Sequence, residues 1–99
     1  MGTRPWVCAE PPPGVDAWVP VGMMEPFAVP PRQPVLDVVA ERDFPKALEA
    51  SEARKAQLPR DACSRALVVS GTDHYFGDAA TRLAEAIAPF IARALDSSC

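Results

Sequence analysis

The chain has 99 residues, with ten Lys and Arg against 13 Asp and Glu, a net charge of −3 and a single histidine. A chain of that length forms one small domain and removes only about two thirds of its unfolded surface from water. Its acidic balance, with no basic cluster to follow a phosphate backbone, argues against a nucleic-acid partner, and no run approaches the ~18 apolar residues of a membrane span.

In chain order, "MGTRPWVCAEPPPG" has neither the basic nor the apolar region of a signal peptide, so the chain as written reads as unexported and cytoplasmic. Its prolines mark residues 1–14 as poorly ordered, ahead of a domain over 15–96 and a short tail over 97–99. "AWVPVGM" (17–23) is apolar and β-prone, and "PVLDVVAERDF" (34–44) carries Val35, Leu36, Val38 and Val39 as a nearly unbroken buried-strand run. Pro34 stands at the start of that run, where a missing donor is tolerated. "KALEASEARKAQL" (46–58) predicts a helix bounded by Pro45 and Pro59, with Ala47, Ala50 and Ala53 on one face and Glu49 and Lys55 toward water.

"RALVVSG" (65–71) reads as a third strand, closed by Gly71. "DAATRLAEAIAPFIARALD" (78–96) reads as a helix with Leu83, Ile87, Phe90, Ile91, Ala94 and Leu95 on one stripe and Asp78 as its N-cap. Pro89 inside it frees the carbonyl of Glu85. Strands alternating with amphipathic helices predict an α/β fold, a three-stranded mostly parallel sheet with two main helices. Cys8, Cys63 and Cys99 form no C-x-x-C pair and have no metal-ligand spacing, so they read as free thiols, with no metal and no cofactor expected.

In open α/β sheets chemistry gathers at the carboxyl ends of the strands. Asp43 ends the second predicted strand and His74 lies just beyond the third, so parallel neighbours would carry both to one rim. An acid followed by a histidine across one helix matches the second half of the Ser…Asp…His order of the α/β-hydrolases. The competing acids have other readings. Asp37 is mid-strand and Glu41 lies too early, so both read as structural or solvent-facing, while Asp73 is placed to brace the histidine turn through the backbone. Tyr75 and Phe76 read as packing beneath that turn.

Residues 14 to 95 resemble the last part of an α/β-hydrolase, closest to a bacterial family of unassigned function within that superfamily. The resemblance rests on Pro34, Leu36, Asp37, Asp43, Phe44 and Pro45 for the acid strand, and on Val69, Gly71, Asp73, His74 and Phe76 for the histidine turn. It implies that Asp43 is the triad acid and His74 the general base, in the C-terminal portion of such a fold. The chain departs from the pattern in having no G-x-S-x-G, and none of Ser51, Ser64, Ser70, Ser97 and Ser98 sits on a strand-to-helix elbow. Pro20, inside a strand that should be central, is a second departure.

The expectation is therefore an ester-hydrolase-like fragment that holds acid and base but no nucleophile and is inactive alone. It would pair with itself or with an N-terminal hydrolase portion through the exposed sheet edge of the strand at 17–23, beside Trp18, Val19 and Val21. Two alternatives stand beside it: a non-catalytic interaction module derived from a hydrolase scaffold, and a plain small α/β domain in which the Asp and His coincide by chance.

Overall fold

The computed structural model describes residues 14–99. The order is β1 (Leu36–Arg42), α1 (Pro45–Lys55), β2 (Arg65–Asp73), a 3-10 turn (Gly77–Ala79) and α2 (Ala80–Leu95). β1 and β2 pair in parallel, Leu36 with Arg65 through Ala40 with Val69, and α1 makes the crossover that parallel strands require. The expected disorder of residues 1–13 and the state of Cys8 lie outside the described residues.

The expected three-stranded sheet is not formed: the sheet has two strands, and residues 17–23 contribute only two isolated bridges, Trp18 to Val35 and Val21 to Val38. Pro20 supplies the physical reason. The segment does run parallel to β1, with Trp18 N–H donating to Pro34 O, Leu36 N–H to Trp18 O, Val38 N–H to Pro20 O and Gly22 N–H to Val38 O, all at 2.8–3.0 Å. The rung between these pairs needs a donor from residue 20, and proline has none. Gly22 then leaves extended geometry altogether, at φ +63°.

Strand alternation sorts β1 onto two faces. Leu36, Val38 and Ala40 form the main core with Cys63, Val69, Phe76, Ala79 and Phe90, against which Leu83, Ile87 and Ile91 of α2 are half-buried. The opposite face, with Asp37 and Val39, looks toward α1, whose buried residues are Ala47, Ala50, Ser51 and Arg54. That stripe runs at helical spacing, but its last members are polar, and Ala53 is exposed instead.

Arg54 is fully buried because it has partners: Nε donates to Asp37 Oδ1 at 2.8 Å, and Nη1 to the carbonyls of Met23 and Glu25 at 2.7 Å. Burial lifts the Asp37 pKa above the usual carboxylate value, and the neighbouring Arg54 and Ser51 lower it without cancelling the rise. The pair thus ties β1, α1 and the loop after residue 22 into one unit. Farther along that loop, Phe27 and Gln57 exchange two hydrogen bonds of 2.9 Å and anchor it to the end of α1.

Two smaller expectations also change. Cys63 and Cys99 are not free thiols but a disulfide across 36 positions. They meet because Ser97 takes φ +58° and Ser98 N–H returns to Arg93 O, which folds the tail back from α2. α2 begins at Ala80 after the 3-10 turn, with no side-chain cap from Asp78, and Leu95 is exposed.

Candidate functional site

β1 and β2 deliver their carboxyl ends to one rim, and Asp43 and His74 meet there. His74 Nδ1 lies 2.9 Å from Asp43 Oδ1, with the Asp43 side chain fully buried and the His74 side chain 28% exposed. A carboxylate only accepts, so the contact puts the imidazole proton on Nδ1 and leaves Nε2 as the open acceptor of the ring.

Each side chain is held by its local backbone. Asp43 N–H donates to Ala40 O at 3.1 Å, closing a turn at the end of β1. In return, the carboxylate accepts from the amides of Phe44 at 2.8 Å and Ala40 at 3.4 Å. These amide bonds fix the oxygens in place before the histidine arrives.

The histidine turn is braced by Asp73, whose Oδ1 accepts Tyr75 N–H and whose carbonyl accepts Phe76 N–H, both at 3.0 Å. Phe76 closes the turn in the left-handed region at φ +54°, a conformation that costs a non-glycine residue about 1–3 kcal/mol. Burial of its ring in the main core offsets that cost.

A backbone irregularity makes the meeting possible. From Leu36 to Ala40 each β1 residue pairs with the β2 residue 29 positions on, but Arg42 pairs with Asp73, 31 positions on. The intervening bulge centres on Gly71 at φ +72°. Gly71 does not close the strand, as the sequence implied, but bends it and lets it continue to Asp73.

Gly22 forms the wall behind the pair. A Cβ placed there would lie 2.9 Å from His74 Nδ1, 3.0 Å from Cε1 and 3.3 Å from Asp43 Oδ2. The position thus demands glycine twice, for its positive φ and for its space. Sequence reasoning passed over Gly22, and "VGM" in an apolar stretch offers only the glycine itself as a signal.

Around the imidazole, Phe44 packs at 4.9 Å between ring centroids and Tyr75 stands edge-on at 5.3 Å. Phe76 packs beneath the turn as expected, but Tyr75 is 77% exposed and points to water. Of the competing acids, Asp37 is the buried partner of Arg54 and Glu41 accepts Gly71 N–H at 2.7 Å, so neither reaches the imidazole.

No serine among the described residues hydrogen-bonds His74. Ser64 bonds Asp61 and the amide of Val35, and Ser51 faces Asp37. Among the described residues no cluster of three or more His, Cys, Asp or Glu is placed to hold a metal, and no helix is long and apolar enough to cross a membrane. The site is therefore a buried carboxylate orienting one half-exposed imidazole, an arrangement that can accept a proton at Nε2 and return it. The chain matches no family model, no curated protein and no solved structure.

Proposed function

We propose that the chain carries the acid and base of a serine-type, ester-hydrolase-like catalytic site whose nucleophile lies outside these 99 residues. The observation that supports this most is the 2.9 Å contact from His74 Nδ1 to a buried Asp43 carboxylate at the carboxyl ends of parallel strands. In this reading Asp43 selects the tautomer and stabilises the imidazolium, and His74 takes the nucleophile's proton at Nε2 and passes it to the leaving group. Alone, the chain offers weak base catalysis and hydrolyses activated esters little faster than free imidazole.

The partner in this proposal is an N-terminal hydrolase portion or a second copy, joined at a sheet edge. β2 supports it, since β1 is flanked on both sides while the outer edge of β2 is unpaired among the described residues, with Val68 52% exposed. On compartment, the Cys63–Cys99 disulfide pulls against a reducing cytoplasm and favours an oxidising one.

The test is fluorophosphonate labelling of the native species that contains this chain. Labelling at a serine outside residues 1–99, abolished by His74→Gln, is the expected result. Labelling of a serine within the chain, labelling indifferent to His74, or no labelling at all overturns the proposal.

A second reading, an interaction module without catalysis, draws support from the exposed Tyr75 and Phe44 beside the imidazole. It predicts partner binding that survives His74→Gln.

A further inference from the structure

The meeting of Asp43 and His74 is not what the regular strand pairing delivers. Extending the 29-position register past Ala40 would set Asp43 opposite Thr72, with His74 carried beyond its reach. Only the two additional β2 residues in the bulge raise the offset to the 31 positions that separate Asp43 from His74. Insertion of two keeps strand parity, so the side chains stay on their faces while sliding one step along the rim.

Three backbone polar groups in the bulge, carried by two successive peptides, each have a charged side chain as partner. Gly71 N–H donates to Glu41 Oε1 at 2.7 Å, Gly71 O accepts from Arg42 Nη2 at 3.2 Å, and Ser70 O accepts from Arg82 Nη2 at 2.8 Å. Glu41 is the one β1 residue that the bulge skips, between the pairs Ala40–Val69 and Arg42–Asp73. Its carboxylate thus reaches the Gly71 amide at the point where the register shifts. Arg42 comes from the same strand and Arg82 from α2, so β1 and α2 both grip the bulge.

We propose that Glu41, assisted by Arg42 and Arg82, is a positioning residue that locks the β1–β2 register in which His74 faces Asp43. It touches neither imidazole nor substrate and acts through the Gly71 peptide. Its value for catalysis rests on the acid–base reading of the pair, but the register itself can be measured without any substrate.

The experiment is nuclear magnetic resonance of the full 99-residue chain labelled with nitrogen-15, reading the His74 Nδ1 proton, which moves far downfield when a carboxylate accepts it. In the native chain this signal is present. Glu41→Ala lowers its intensity at least threefold as the paired register loses population, while Glu41→Gln, which keeps an oxygen acceptor for Gly71 N–H, largely restores it. Arg82→Ala, on a solvent-exposed side chain, lowers the signal in the same direction and serves if Glu41→Ala does not fold.

A native chain without the downfield proton overturns the inference. So does a folded Glu41→Ala or Arg82→Ala that keeps native intensity even though its melting temperature falls, since that marks a merely structural role. A downfield proton that follows these variants while fluorophosphonate labelling is absent leaves the register lock standing and removes the hydrolase reading alone.

Discussion

Single atoms decide much in a chain this small. A methyl at Gly22 would press on the imidazole nitrogen that bonds Asp43 while forcing a positive φ on an alanine. Gly22→Ala should therefore cost about 1–3 kcal/mol in urea denaturation and displace the His74 ring resonances. On the opposite face of β1, Asp37→Ala leaves the Arg54 guanidinium buried without its carboxylate, a loss of about 3–5 kcal/mol by the same measurement. Asp61 yields a pH dependence: although burial pushes its pKa up, bonds from the Ser64 hydroxyl and the amides of Ser64 and Cys63 outweigh that and hold it below the usual value. A depressed folded-state pKa contributes stability that is present above the unfolded value near 3.8 and lost as pH falls through the folded value. Asp37, raised, runs the other way, with its contribution lost as pH rises through its folded value. Comparing Asp61→Asn with the native chain across pH 2–5 isolates the first effect, and the variant should lack that acid-side decline.

At the scale of elements, β1, β2 and both helices were legible because burial imposes a period on the chain, and Val-rich runs and alternating faces report that period directly. The third strand was misread because apolar composition does not say where a peptide nitrogen must donate. Pro20 falls at the rung where donation to β1 was required, and the ladder breaks there. The bulge was illegible for a related reason: register is a relation between two strands, and Gly71 alone marks a bend without giving its size. Asp43 and His74 were legible as a pair from their place at strand ends, whereas the grip of Glu41 on Gly71 depends on a contact thirty residues away. Arg54 hid on a buried stripe because sequence periodicity counts apolar residues, and its burial depends on a partner on the strand that α1 packs against. One element invites a simple change. Pro89 lies inside α2 on its exposed side and denies a donor to the Glu85 carbonyl, so Pro89→Ala should raise the melting temperature, with helix content by circular dichroism unchanged or higher.

For the whole molecule, the disulfide matters most, because a domain with so little core depends on restraints placed on its unfolded chain. In the loop-entropy picture a closure across 36 residues contributes about 4 kcal/mol, so reduction, or Cys99→Ser, should lower the urea midpoint by an amount equivalent to about 2–4 kcal/mol. Half-exposed contacts of Leu83, Ile87 and Ile91 with the core leave α2 as the element that gains most from the tether. The bond also divides the chain into a covalent ring, from Cys63 to Cys99, and an open arm. β2, His74 and α2 belong to the ring, whereas Asp43 and α1 belong to the arm. Proteolysis makes the distinction visible. A single tryptic cut after the exposed Arg82 or Arg93 opens the ring into a line, yet every atom stays attached, so the nicked protein is heavier by one water and remains one species until reductant is added. A cut in the arm between Asp43 and Cys63, after the exposed Lys46 or Lys55, instead separates acid from base without any reductant.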